Sequence, residues 1–354
     1  MIITVTLNPA LDLTYTVDAL VPHGTHRVSS VAERPGGKGL NVAAVLHSLG
    51  EPVLATGLLG GTTGGRVSAL LAVHGVPNSF VSIAGETRRT VAVADGVDAT
   101  GFWEPGPTVS EREWTTFLER FGQLVGETDV VAFSGSLPPG VPVDGYATLI
   151  RLASAAGAAT VLDTSGDALR LGLAASPDLA KPNAHELAEL LAAHRATSPG
   201  VLGARETKSP HSVAVSQGGP DAIEREVRAA SEVRAAKGEA VGGRTAGDWV
   251  AADVLVSGVG AVVVSRGPLG LLAVTAGGTW EAVPSERLDG NPTGAGDACV
   301  AALARGLRDR TPWAELVADA VALSAAAVAS PVAGAVDLDT YRRLLPAVVV
   351  TGPI

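Results

Sequence analysis

Asn291-Pro292-Thr293-Gly294-Ala295-Gly296-Asp297-Ala298-Cys299 runs directly into Val300-Ala301-Ala302-Leu303-Ala304-Arg305-Gly306-Leu307. The first part is made of turn formers. The second is Ala-rich with helical apolar spacing, which predicts a helix beginning near Ala295. Glycines at a helix start let the backbone approach a ligand closely, and the first amides of the helix have no partner inside it. Such a turn is a seat for a phosphoryl group. Asp297, on the same turn, would repel that ligand unless it has another task. The task that fits is to accept the proton of a hydroxyl attacking phosphorus. The alternative is a carboxylate that merely favours the positive end of a helix, and the rest of the chain has to decide between them.

Working outward, the chain alternates strand and helix. Ile2-Ile3-Thr4-Val5-Thr6-Leu7 is a β-branched run closed by Asn8-Pro9, and residues 53–58, 130–133, 160–162 and 261–264 are further short apolar runs. Helical patterns lie between them at 40–49, 67–74, 111–125, 146–156 and 184–194. This alternation predicts an α/β fold with a mostly parallel central sheet covered by helices on both faces. Ligands of such sheets bind beyond the carboxyl ends of the strands. Residues 11–17 and 88–103 alternate polar and apolar instead. They predict strands with one wet face, forming a small antiparallel β lid over the pocket; ordinary edge strands of the main sheet are the alternative. Residues 196–247 are rich in Gly, Ser, Arg and Glu, with one possible charged helix at about 220–237. They read as a long surface insertion within a single domain of 354 residues.

Apolar residues make up 46% of the chain, ample for a sizeable core, and the formal charge is −10. That balance argues against a nucleic-acid surface and against adhesion to anionic membranes. The only cysteine, Cys299, has no internal disulfide partner. With no signal peptide in view, this suggests a cytoplasmic protein. The longest apolar stretch, 317–336, carries Asp319 and Pro331 and reads as a packed helix plus a turn rather than a membrane span.

The chemistry-bearing residues fall after the predicted strands. Asp12 follows the first and suits sugar hydroxyls, or else only a turn. Pro35-Gly36-Gly37-Lys38-Gly39-Leu40-Asn41 is a second glycine turn opening a helix. Lys38 is a poor residue for a helix start unless an anion lies nearby, and Asn41 offers both a donor and an acceptor. The turn has neither the third spaced glycine of a dinucleotide fingerprint nor the ending of a Walker loop. Arg88 and Arg89 begin the second lid segment; one suits bidentate phosphate capture and the other a solvent face, with Arg88 the ligand. Ser136 lies in Ser134-Gly135-Ser136-Leu137-Pro138-Pro139, a pocket wall or an ordinary loop. Lys181-Pro182-Asn183-Ala184-His185-Glu186 opens a helix. Asn183 and Glu186 share a face there, and either serve Mg²⁺ or form a plain capping pair. Ser265 and Gly267 follow the strand at 261–264 and are further candidates for phosphate contact.

Taken in this order, these stretches, together with Thr87-Arg88, Glu104-Pro105-Gly106-Pro107 and Gly294-Ala295-Gly296-Asp297, resemble the PfkB-type carbohydrate kinases of the ribokinase-like fold. Within that family they look most like its hexose-phosphate branch, the 1-phosphofructokinases and tagatose-6-phosphate kinases. The resemblance implies ATP and Mg²⁺ as cofactors and a sugar phosphate as substrate. It makes Asp297 the catalytic base, with the amides of Gly294, Ala295 and Gly296 as anion hole. Asp12, Gly36, Gly37 and Asn41 would hold sugar hydroxyls, and Lys38, Arg88 and Ser136 the phosphate that the sugar already carries. Lys181, Asn183, Ser265 and Gly267 would face ATP, with Glu186 and Asn183 organising Mg²⁺. The lid, about 11–35 and 86–107, would exclude water and could form a homodimer contact. The substrate it implies is fructose 1-phosphate, with tagatose 6-phosphate or fructose 6-phosphate as runner-up and a non-catalytic sugar-phosphate sensor as the competing class. The chain departs from the branch at Thr90, where Asn is usual, at Gly101, where some members place an arginine, and at Pro292.

Overall fold

The computed structural model describes residues 1–126, 128–197, 258–330 and 332–353. The expected insertion at 196–247 and its charged helix at about 220–237 lie outside the described residues, apart from the last turn of the helix Ala184–Thr197. The strands are β1 (Ile2–Thr6), β2 (Ala10–Thr16), β3 (Ser30–Gly36), β4 (Val53–Gly60), β5 (Asn78–Ile83), β6 (Arg88–Ala94) and β7 (Ala99–Trp103). They continue with β8 (Val130–Ser134), β9 (Ala159–Asp163), β10 (Leu179–Ala180), β11 (Ala261–Ser265), β12 (Leu271–Thr275), β13 (Gly278–Val283) and β14 (Val349–Thr351).

Ten of them form one sheet in the order β14-β13-β12-β11-β10-β9-β8-β1-β4-β5. It is parallel from β11 to β5 and antiparallel from β11 to β14. The composition of β1 explains its central place. Ile2 packs into the layer of helices Lys38–Ser48, Ala295–Asp309 and Trp313–Val328. Ile3 and Val5 pack into the opposite layer with Phe117, Phe121 and Tyr146. A strand buried on both faces favours β-branched residues at every position, so it reads as a continuous run rather than an alternating one, here with Thr4 and Thr6 buried among Ile2, Ile3 and Val5. The helix Glu111–Val125 starts at the expected residue because Ser110 and Glu113 cap it reciprocally.

The lid is a second sheet, ordered β3-β2-β6-β7. It consists of two antiparallel hairpins, β2–β3 and β6–β7, joined side by side by a parallel pairing of β2 with β6. The expected antiparallel pairing therefore holds within each hairpin and reverses at the seam. Leu11 and Leu13 on one lid face are buried with Val67, Leu70 and Leu71 of the helix Gly61–Val73. The opposite face carries Asp12 with Arg34, Arg88 and Thr90. This division is the half-wet alternation of the sequence. Among the described residues no helix is long and apolar enough to cross a membrane.

Candidate active site

The opening turn behaves as its sequence demands. Gly294 has φ 90°, a left-handed conformation that suits glycine, and the helix Ala295–Asp309 follows it. The Asn291 side-chain oxygen accepts the Thr293 amide at 3.0 Å, which closes the turn ahead of it. Asp297 lies in the first helical turn and is only 6% exposed. Its Oδ2 accepts a hydrogen bond of 2.8 Å from Asn41 Nδ2, although the two residues are 256 apart in the chain. Asn41 stands in the first turns of the helix Lys38–Ser48, so the two glycine turns meet at this bond. Burial pushes the Asp297 carboxyl up to about 7, helped by the nearby Asp163; the Asn41 bond, Lys38 and Lys181 oppose the rise. The Ala295 amide, expected among the anion donors, itself makes a long bond of 3.2 Å to the Pro292 carbonyl.

Asp163 did not stand out in the sequence. It ends β9 and is 1% exposed. Its Oδ1 lies 3.2 Å from Lys181 Nζ and 3.4 Å from Lys38 Nζ, and its Oδ2 is buried without a hydrogen-bond partner. The usable signal was its place directly after a predicted strand, the criterion that found the other motifs. Lys38, expected near the phosphate that the sugar carries, has acidic neighbours here. Its ammonium lies 3.4 Å from Asp163 and 3.9 Å from Glu186. Lys181 is 3% exposed. Burial pulls its ammonium down, but Asp163, followed by Cys299 and Glu186, outweighs that and leaves it raised.

These groups line one cavity of about 500 Å³. The sequence-predicted Lys38, Lys181, Asn183, Ser265, Gly267, Ala295, Gly296 and Asp297 all border it. Asn183 and Ser265 are neighbours through a β-bridge. Asn183 and Glu186 exchange two bonds of 2.8 Å, the Asn183 amide to Glu186 Oε2 and the Glu186 amide to Asn183 Oδ1. This is the capping pair that the sequence offered as the alternative to a metal site. Glu186 Oε1 remains directed towards Lys38.

Of the other predicted residues, Asn41 and Glu186 reach the cavity groups through Asp297 and Asn183, Gly294 caps the Asp297 helix, and Asp12, Gly36, Arg88 and Ser136 lie in a second cluster. Asn8 Nδ2 donates to Ser136 Oγ at 3.1 Å, and Arg88 Nε donates to the Asn8 carbonyl at 3.2 Å. Arg89 instead points to solvent and pairs with Glu104 at 2.8 Å. The Thr90 hydroxyl donates to Asp12 Oδ1, which gives the departure at that position a structural role. Asp12 lies so close over Gly36 that a Cβ there would be 2.0 Å from Oδ1. Burial raises the Asp12 carboxyl, against the Thr90 bond, Arg88 and Arg34. Gly37, the N-cap at φ 106°, passes the chain from this cluster to Lys38 and Asn41.

A near-neutral carboxylate, a glycine turn at a helix start and two lysines around one cavity can hold a phosphoryl group while a hydroxyl loses its proton. Fold and site together define a phosphotransferase class. The family model described as pfkB family carbohydrate kinase matches residues 5–257 and 250–340. The chain therefore belongs to the PfkB family of carbohydrate kinases, with ATP as the co-substrate that the family implies. It is similar to phosphofructokinase-2 from Escherichia coli in complex with fructose-6-phosphate, at 28% identity over 98% of each chain with a TM-score of 0.76. It is similar to a possible 1-phosphofructokinase from Thermotoga maritima, at 25% identity over 99% of this chain and 98% of that one, TM-score 0.73. The ribokinase from Thermotoga maritima, at 16% identity, covers 98% of this chain and 99% of its own with a TM-score of 0.68, a likeness of fold alone. The fold is ribokinase-like.

Proposed function

We propose that this carbohydrate kinase transfers the γ-phosphoryl group of ATP to a phosphorylated ketohexose, fructose 1-phosphate foremost, giving fructose 1,6-bisphosphate. Tagatose 6-phosphate and fructose 6-phosphate are the alternative substrates. The observation that carries this reading is the Asn41–Asp297 bond. It joins the turn next to Asp12 and Arg88 to the turn next to the ATP-side cavity, so a sugar on one side meets a phosphoryl group on the other. The similarity to phosphofructokinase-2 in complex with fructose-6-phosphate and to a possible 1-phosphofructokinase supports the substrate class.

In this reading Asp12, Gly36, Gly37 and Asn41 position the sugar hydroxyls, and Arg88 with Ser136 receives its phosphate. Asp297 accepts the proton of the attacking hydroxyl as the new bond from oxygen to phosphorus forms and the bond to ADP breaks. The amides of Gly294 and Gly296, with Lys38 and Lys181, face the charge on the transferring oxygens. Lys181, Asn183, Ser265 and Gly267 lie along the ATP phosphates. The buried, unpartnered Asp163 Oδ2 fits a hard cation. Mg²⁺ in kinase sites takes one or two carboxylates together with phosphate oxygens and water. Asp163 and Glu186, with Asn183 beside them, would hold it, and when bound it neutralises charge on the phosphates.

The test is ADP release with ATP, Mg²⁺ and a panel of the three sugar phosphates. Phosphorylation of at least one is expected. Binding of a sugar phosphate without any turnover would establish the sensor reading instead. Gly36→Ala tests the sugar side separately. Its Cβ would occupy the place of the Asp12 carboxylate, so KM for the sugar phosphate should rise about ten- to a hundredfold, the worth of a charge-assisted bond, while KM for ATP stays as it was. An unchanged sugar KM would remove Asp12 from the site.

The lid also leaves Val31, Phe102 and Trp103 exposed at 57%, 56% and 74%. Val31 and Phe102 share the lid face of Leu11 and Leu13 and Trp103 stands on that of Asp12, which favours burial of the lid strands themselves, rather than of one face, against a second copy of this chain. Sedimentation should show a dimer that Trp103→Asp dissociates. A wild type that stays monomeric at high micromolar concentration would end this part of the proposal.

A further inference from the structure

Arg34 entered neither the motif reading nor the family resemblance, and the lid places it in a particular position. In β3 it lies directly across from Asp12 in β2, and Thr90 in β6 lies directly across from Asp12 on the other side. Directly opposed residues project from the same face of a sheet. The next row on that face is Gly36, Ala10 and Arg88. Asp12 is thus bracketed by two guanidinium groups, Arg34 from one hairpin and Arg88 from the other, and both act on its carboxyl. Arg88 is tied to the Asn8 carbonyl. Arg34 is half-buried, and among the described residues it makes no hydrogen bond and no ion pair; its one recorded partner is the charge of Asp12.

The charge count is informative. Asp12 and Arg88 alone cancel. With Arg34 the cluster carries one net positive charge. A polar face meant only for hydroxyls gains nothing from holding a second, unbonded guanidinium partly out of water, where desolvation disfavours it. A phosphate carrying nearly two negative charges gains from it, since guanidinium groups offer paired donors at phosphate geometry.

We propose that Arg34 is a second arginine for the phosphate that the sugar already carries, acting from the opposite side of Asp12 to Arg88. It makes the site choose phosphorylated over unphosphorylated sugar. This rests on the sugar-phosphate reading above and names the residue that sets the choice.

The experiment is calorimetric binding of fructose 1-phosphate, fructose 6-phosphate, tagatose 6-phosphate and their unphosphorylated parents to the wild type, Arg34→Met and Arg34→Lys. For the sugar phosphate that binds the wild type best, Arg34→Met should weaken binding about ten- to a hundredfold, and Arg34→Lys by less. Affinity for the parent sugar should not change. The wild-type affinity should fall with added NaCl more steeply than that of Arg34→Met, because one charge pair has been removed. A role confined to propping Asp12 would lower affinity by one factor at every salt concentration, and that result would overturn the proposal. So would equal binding by wild type and Arg34→Met, or a loss explained by a changed oligomeric state in sedimentation. If the wild type binds a sugar phosphate in an Arg34-dependent way but never phosphorylates it, the kinase reading of the substrate fails and the assignment of Arg34 stands. If the wild type binds none of the sugar phosphates, both fall.

Discussion

Asp297→Asn should lower turnover about a thousandfold, within the range of losing a general base, and should at the same time stabilise the protein above pH 7. The two effects have one cause. Asp297 is 6% exposed, and burial, with Asp163 nearby, raises its carboxyl from 3.8 to about 7. A raised folded-state pKa means that the folded protein holds this proton more tightly than the unfolded chain does. The stability from this group is therefore fully present below pH 4 and is lost as pH climbs to 7. Above pH 7 the folded state carries a buried anion at a cost on the order of 4 kcal/mol. Asparagine removes that cost and keeps an oxygen to accept the Asn41 bond. Denaturant unfolding at pH 5 and pH 8 should show the variant gaining clearly more on the wild type at the higher pH. The wild-type kcat/KM should rise with unit slope through about pH 7 as the base becomes available, since this parameter follows the free enzyme. Sugar-phosphate affinity should change far less than turnover. An Asp297→Asn protein that keeps a tenth of its turnover, or gains no stability at pH 8, would remove Asp297 from the role of base.

Some of this site was legible in the sequence and some was not, for physical reasons. Asp297 could be found because a carboxylate on a glycine turn conflicts with the anion that such a turn attracts. β1 could be found because two-sided burial leaves an unbroken β-branched run, Ile2-Ile3-Thr4-Val5-Thr6. Arg88 and Arg89 could be told apart in principle, and the pairing of Arg89 with Glu104 resolves them. Arg34 could not be found. In Glu33-Arg34-Pro35 it looks like part of a charged edge, and only the register between β2 and β3 brings it to Asp12. Asp163 is a single acidic residue whose only local signal is its place at the end of a strand. Its importance comes from Lys38 and Lys181, which lie far from it in the chain. The parallel seam of the lid was hidden for a similar reason. Hairpins announce themselves locally, whereas the pairing of β2 with β6 joins residues as far apart as Asp12 and Thr90, 78 positions along the chain. The Asn183–Glu186 spacing fits a cap and a metal ligand equally well, and the structure makes the cap while leaving Glu186 Oε1 towards Lys38.

Lys181→Met should destabilise the protein by about 3 kcal/mol, the lower end of the range for breaking a buried ion pair. Lys181 and Asp163 are 3% and 1% exposed, with Nζ 3.2 Å from Oδ1. Removing the ammonium leaves a carboxylate out of water, and the loss stays at the low end because Lys38 remains 3.4 Å from the same oxygen. The raised Lys181 pKa means that its share of stability is complete below the ordinary lysine range and disappears only at higher, strongly alkaline pH. An assay at pH 8 therefore reads the whole loss. Adding Asp163→Asn removes the stranded charge, so the double variant should recover much of the stability that Lys181→Met loses. Such recovery is the coupling expected of groups in direct contact. The same change acts on the base. Lys181 is one of the charges that hold the Asp297 carboxyl down, and Asp163 is one that pushes it up. Lys181→Met should thus move the acid limb of the residual activity to higher pH, and Asp163→Asn should move it to lower pH. Opposite displacements would tie both residues to the proton acceptor through their charge. A Lys181→Met protein that loses less than about 1 kcal/mol, the scale of an exposed pair, would show that the two groups are solvated and that the cavity is not the closed site its geometry describes.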